Sequence, residues 1–207
     1  TLINLIPRLY DVTGGKILID GVNIKDAKLH DLREKIGYVP QKGNLFTGTI
    51  KSNIAFGEDY AGQISDKQIT KAASIAQAEE FIKTKEKKYD SEISQGGTNV
   101  SGGQRQRLAI ARAIAIDPEI YIFDDSFSAL DYKTDAKLRA SLTKETKDST
   151  KFIVAQRIST VLNADQIIVL DGGTIAGIGT HKELMKTCDV YKEIALSQLS
   201  KEELENE

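Results

Sequence analysis

Three short apolar runs, EIYIFD at 119–124, KFIVA at 151–155 and QIIVLD at 166–171, alternate with helix-forming segments. That alternation restricts the fold more than any other feature of the chain. Apolar runs of this length without a polar face suit strands buried on both sides. Between the first two lies YKTDAKLRASLTKE, 132–145, with helical character, and between the second and third lies ISTVLNA, 158–164. Strands joined by helical crossovers run parallel. The pattern therefore predicts an α/β fold: a mostly parallel sheet flanked by helices on both faces.

The upstream half fits the same scheme less regularly. Residues 1–9 read as a short apolar helix tightened or ended by Pro7, with no cap before it, as if the chain opened inside an element. KILIDG at 16–21 reads as a strand closed by the turn Asp20-Gly21, LHDLREKI as a helix, and IGYVPQ as a short buried strand ending at Pro40-Gln41. From the candidate N-cap Ser65, DKQITKAASIAQAEEFIK reads as one helical run within a helical middle section at about 50–90. RQRLAIARAIAI is strongly helical and stops at Asp117-Pro118. After QIIVLD come a hairpin, GGTIAGIG, a final helical segment from Thr180 to about Ser200, and an acidic tail, KEELENE, expected to fray.

Composition excludes several classes. The 28 basic against 30 acidic side chains leave a net charge of -2, which gives nucleic acid or anionic lipid no bulk attraction. No apolar run approaches the roughly 20 residues that cross a bilayer as a helix. The single Cys188 excludes an internal disulfide framework, and His30, His181 and Cys188 lack metal-ligand spacing. Arg105, Arg107 and Arg112 fall along one helix and read as solvated or ion-paired, and Tyr10 and Tyr38 as core or edge residues.

Two stretches carry chemistry. In VSGGQRQR, 100–107, a glycine pair stands at a loop-to-helix junction, where unpaired N–H groups and the helix dipole favour an anion such as a terminal phosphate. The same residues also suit a flexible turn with Ser101 as N-cap. In IYIFDD, 120–125, an acidic pair ends a strand where α/β folds place their ligands. There Asp124 could hold a Mg²⁺-bound water and Asp125 orient an attacking one, or the pair could cap the next helix.

The order GYVPQ, VSGGQRQR, IYIFDD and SALD resembles the ATPase domain of ABC transporters. LFTGTIKSNIAFG at 45–57 and GGTIAGIGTHKEL at 172–184 resemble flanking segments of exporters, so the likeness runs through essentially the whole chain. It implies a P-loop NTPase-like core, a helical signature subdomain at about 50–115, and C-terminal helices and tail at about 180–207. It implies ATP and Mg²⁺ as ligands and a second ABC ATPase domain as partner. It further implies transmembrane domains, expected in the same full-length chain, a place at the cytoplasmic face of a membrane, and no nucleic-acid partner. By this resemblance Gln41 joins Asp124 at the metal and links it to the transmembrane helices. Ser101, Gly102, Gly103 and Gln104 form the signature, Asp131 ends the SALD loop, and Asp125 and Gln156 stand at catalytic positions.

The chain departs from the family pattern in three places. The phosphate-cradling G-x-x-x-x-G-K-[ST] loop does not occur in it. Thr1-Leu2 resembles the residues just after that loop's Lys-Ser, so the chain is expected to begin inside the motif and, as it stands, to bind ATP poorly. Asp125 replaces the family's glutamate, retracting the carboxylate by about 1.5 Å, and a misplacement of about 1 Å can cost on the order of a hundredfold in rate. Gln156 replaces a histidine and cannot become cationic or relay a proton at ordinary pH. In the family each ATP lies between the Walker motifs of one domain and the signature of another. A weakened own site beside an intact signature therefore points to a heterodimer, used for export of a drug-like or lipid substrate. The rival readings are an active homodimeric exporter, and a soluble ABC-type ATPase acting on DNA or ribosomes.

Overall fold

Strand β6 (Ile120–Asp124) lies between two parallel neighbours, β3 (Ile36–Val39) and β7 (Thr150–Val154), in register Tyr38↔Ile122↔Phe152. The computed structural model describes residues 2–57 and 62–199. Thr1 and residues 200–207, the acidic tail included, lie outside the described residues, as do 58–61 of the helical middle section. The chain divides into two units, 1–154 and 155–207.

In the first unit β6 explains why its sequence is apolar throughout: Tyr121, Ile122 and Phe123 are all fully buried. Because side chains alternate along a strand, Tyr121 and Phe123 enter the main core with Leu108 and Ile110 of helix α5 (Gly102–Ala115). Ile122 points the other way, to Ile24, Leu32 and Ile36. Both faces of β6 are covered, as the alternation predicts, whereas β7 leaves Phe152 and Val154 exposed. Helix α6 (Tyr132–Glu145) makes the crossover from β6 to β7. Helix α1 (Leu29–Glu34) precedes β3. The early strand is a two-residue hairpin, β1 (Leu18–Ile19) with β2 (Val22–Asn23), turning through Asp20 and Gly21 at φ 50° and 81°. The expected N-terminal helix is a 3₁₀ turn, Leu2–Leu5.

The stretch before α5 contains helix α2 (Ile50–Ile54), α3 (Asp66–Ile75) and α4 (Glu79–Lys83), with a short antiparallel ladder of β4 (Gly48–Thr49) on β5 (Glu92–Ile93). Ser65 caps α3 as expected, its hydroxyl accepting from the Gln68 N–H. The single run expected over 66–83 is instead two helices. The chain breaks at Gln77, which takes φ 57°.

The second unit holds helix α7 (Ile158–Val161), strands β8 (Ile167–Asp171) and β9 (Thr174–Gly179), and helices α8 (His181–Thr187) and α9 (Asp189–Gln198). Here β8, the third strand of the alternation, pairs antiparallel with β9. Ile167, Val169, Leu184, Tyr191 and Ala195 form this unit's core, where His181 Nδ1 lies 2.8 Å from the Tyr191 hydroxyl. The helix expected from Thr180 to about Ser200 is broken at Cys188, whose extended backbone (φ −128°, ψ 101°) ends α8 and starts α9.

Candidate functional site

Parallel strands end side by side, and here the ends of β3 and β6 bring Gln41 and the acidic pair together. The Gln41 amide donates from Nε2 to Asp125 Oδ2 at 3.1 Å. Asp125 is 8% exposed and takes φ 48°, a left-handed backbone that turns the chain sharply off β6. Its N–H donates to the Val154 carbonyl at 3.0 Å, and its own carbonyl accepts from the Ser128 hydroxyl at 2.8 Å. Ser126 ties the two strand ends together, its buried hydroxyl donating to the Val39 carbonyl at 2.9 Å.

Asp124 is half-buried at the last position of β6, and the Tyr38 hydroxyl of the neighbouring strand lies 3.4 Å from its Oδ2 and 2.9 Å from Asn4 Oδ1. Burial, and then the charge of Asp124, raise the Tyr38 pKa above its ordinary value, so the phenol stays protonated. Tyr38 thus packs against the core, as expected, and also neighbours the acidic site, while Tyr10 is 65% exposed.

The donor set fits Mg²⁺. Asp124 offers a carboxylate, and the Gln41 bond to Asp125 runs through Nε2, leaving the hard Oε1 uninvolved in it. No group of three or more His, Cys, Asp or Glu that could hold a metal occurs among the described residues.

The signature stands at the start of α5. Ser101 is the N-cap: its Oγ accepts from the Gln104 N–H at 3.2 Å, and Gln104 Oε1 accepts from the Ser101 N–H at 3.1 Å. The capping role is therefore correct, and it does not displace the anion role, because Ser101 accepts in this bond and keeps its hydroxyl proton to donate. Gly102 is exposed, and a Cβ there would meet nothing within 4 Å, so a ligand can approach the backbone. A Cβ at Gly103 would lie 3.5 Å from the Ala129 carbonyl, which sets the 128–131 loop beside this helix end. Asp131 caps α6, accepting from the Thr134 N–H at 3.0 Å, and hydrogen bonds from the Thr134 side chain first and its N–H second hold the carboxyl below the ordinary value. Gln156 belongs to the second unit, where its carbonyl accepts from the Gln198 amide at 2.9 Å.

Two residues of α5 take roles that the sequence reading did not give them. Gln106 is 2% exposed on the face of α5 that also buries Ala109, Ile110 and Ala113. A polar residue on that apolar stripe was the available signal. Its amide bonds the main chain of the loop on both sides of Gln41, accepting from the Gly43 N–H at 2.9 Å and donating to the Pro40 carbonyl at 3.1 Å. Arg112 is the other. It donates to the Asn53 and Asn44 carbonyls at 2.8 and 2.9 Å and to Asn53 Oδ1 at 2.9 Å, lying against the stacked rings of Phe46 and Phe56. Arg105 and Arg107 likewise donate to main-chain carbonyls, of Gly96 at 3.0 Å and Gln77 at 2.8 Å. These arginines fasten loops to α5 rather than forming the solvated or ion-paired face expected.

Comparison with known proteins places this geometry. The family model for the ABC transporter matches residues 1–128, a stretch that includes Gln41, the signature and both aspartates but neither Asp131 nor Gln156. The chain is 46% identical over 198 residues to an uncharacterized ABC transporter ATP-binding protein of Mycobacterium tuberculosis, covering 96% of this chain and 34% of that protein. It is 45% identical over 194 residues to a putative multidrug export ATP-binding/permease protein of Staphylococcus aureus, covering 94% and 33%. Among solved structures, a bacterial Atm1-family ABC exporter with ATP bound superposes with a TM-score of 0.91 at 36% identity, over 97% of this chain and 35% of that one. The chain spans about a third of the length of these relatives. With strand ends, acidic pair and glycine-led helix arranged in this way, the chain belongs to the ABC transporter family.

Proposed function

We propose that the chain is the ATP-binding domain of an ABC exporter, coupling ATP binding and hydrolysis to transport of a drug-like or lipid substrate. The transmembrane domains belong to the same full-length protein, and the domain works at the cytoplasmic face of the membrane. The relatives named as exporters support this reading. The observation that carries it is the 3.1 Å bond from Gln41 to Asp125, which joins a loop and a catalytic-position acid at one sheet edge. ATP with Mg²⁺ supplies the phosphoanhydride bond and the charge neutralisation. Asp124 and Gln41 offer oxygens to the metal, Asp125 orients water, and the α5 N-terminus offers N–H groups and the Ser101 hydroxyl to the phosphate of a second domain's site.

The own site is degenerate and the partner is a different subunit. Asp125 falls one methylene short, and Gln156 lacks a titratable ring, so water is poorly placed and poorly deprotonated. The signature residues keep the family's residue types, which serves a partner whose own acid and histidine are complete. ATP held at the weak site favours the closed pair, and hydrolysis at the partner's site reopens it.

The test is steady-state ATP hydrolysis by the full-length complex with Asp125→Asn in this subunit. An asparagine keeps an oxygen to accept from Gln41, so the substitution removes the acid and spares that contact. We expect turnover within about twofold of the parent, because the partner's site performs the chemistry. Loss of nearly all turnover would make Asp125 a working catalytic acid and favour an active homodimer.

A further inference from the structure

The loop that carries Gln41 is fastened to the signature helix through one buried side chain. Gln106 accepts from the Gly43 N–H at 2.9 Å and donates to the Pro40 carbonyl at 3.1 Å, bracketing Gln41. The loop also lies tight on the helix. A Cβ at Gly43 would come within 3.0 Å of the Ala109 Cβ and 3.1 Å of the Arg105 carbonyl. One helical turn before Gln106, the same helix presents Gly102 and Gly103 at its N-terminus. Between those two bonds, the Gln41 side chain reaches Asp125. A carboxamide is the group that this arrangement requires, since it donates and accepts at once. Methionine would fill the space and leave the buried Gly43 N–H and the partly buried Pro40 carbonyl without their partner, and glutamate would set an oxygen against the Pro40 carbonyl.

We propose that Gln106 is a positioning residue that makes the loop around Gln41 and the N-terminus of α5 move as one body. Displacement of Gln41 by nucleotide at its own site then shifts the signature offered to the partner's site. This rests on the reading given under Proposed function. It extends that reading by giving the weak site a route to control the strong one.

The experiment is a double-mutant cycle in the full-length complex with Gln106→Met and Gln41→Ala in this subunit, read as kcat and KM for ATP, with Gln106→Glu as a second variant. Each single substitution is expected to lower kcat on the order of tenfold, with KM changed much less. The double variant should be no worse than the poorer single one, because both cut the same connection. A Gln106→Met complex as fast as the parent, or losses that multiply in the double variant, would overturn the proposal. Hydrogen exchange of the 40–47 segment reads the tie without any hydrolysis. In Gln106→Met the Gly43 amide should exchange about tenfold faster or more while amides of 108–115 keep their protection. Unchanged exchange at Gly43 overturns the proposal, and loss of protection throughout α5 in both Gln106 variants overturns it as well, in favour of a purely structural role. A parent complex that binds ATP but shows no turnover would instead defeat the functional reading, and the coupling with it.

Discussion

Arg112 shows how much one side chain can hold here. Its guanidinium is charged at neutral pH even though burial pushes its pKa down to about 10. A partly buried cation is best tolerated where its donors are used. Three of them go to Asn44 and Asn53, on either side of Phe46, and the plane lies 5.1 and 5.2 Å from the Phe46 and Phe56 ring centres. Arg112→Ala should destabilise by about 1–3 kcal/mol, chiefly through the buried Asn53 carbonyl left without its donor and the lost cation–π contact. Arg112→Lys should recover less than half, because one ammonium cannot reach acceptors in two segments. Urea unfolding of the variants checks both, and an alanine variant within about 0.5 kcal/mol of the parent would mean that water replaces the guanidinium. Sequence could not announce this role. Arginine on a helix reads as exposed, and only the fold brings Asn44 and Asn53 to it. For Gln106 a polar residue on an apolar stripe signalled burial but not its partners, whereas Gln41, Asp124, Asp125 and residues 101–104 could be proposed from sequence because they stand in short motifs.

At the scale of elements, the parallel sheet was legible because β6 is buried on both faces and its sequence has no polar side to offer. The helix ends were less so. After α3 the Ala78 N–H bonds the Ala73 carbonyl at 2.8 Å and the Gln77 N–H bonds the Ser74 carbonyl at 3.1 Å, the two bonds of a Schellman ending. Glycine normally occupies the left-handed position in that motif, and here Gln77 does, so no sequence signal marks the stop. Cys188 similarly separates α8 and α9 without glycine or proline. Glycine matters most where β3 meets α5. A Cβ at Gly37 would come within 2.8 Å of both the Ala113 carbonyl and Pro118 Cγ. Backbone cannot yield as a flexible side chain does, so Gly37→Ala must push the helix from the sheet. We expect a loss of about 1–3 kcal/mol, seen as a lower denaturant midpoint with an unchanged m-value. An unchanged midpoint would show that β3 and α5 shift apart without loss.

At the scale of the whole molecule, the two departures from the family pattern lie in different units: Asp125 where β6 turns in the first, Gln156 near the start of the second. If hydrolysis is limited by both reach and proton handling, repairing one should help little without the other. Asp125→Glu restores the missing methylene but still leaves a glutamine that cannot titrate. Gln156→His restores a titratable ring but leaves the acid of the first unit about 1.5 Å short. The double variant is therefore expected to raise ATP turnover at this site by roughly ten- to a hundredfold, and each single variant by much less. The measurement is made in the full-length complex with the partner's catalytic acid neutralised, so that any turnover recovered belongs to this site. Super-additive gain with an unchanged KM for ATP would bear out the proposal that Asp125 and Gln156 together slow hydrolysis at this site. If the double variant stays as slow as the parent while binding ATP equally well, the limit lies elsewhere. The Gln41 loop is then the next element to question, because the amide that now holds Asp125 would have to let a longer carboxylate pass.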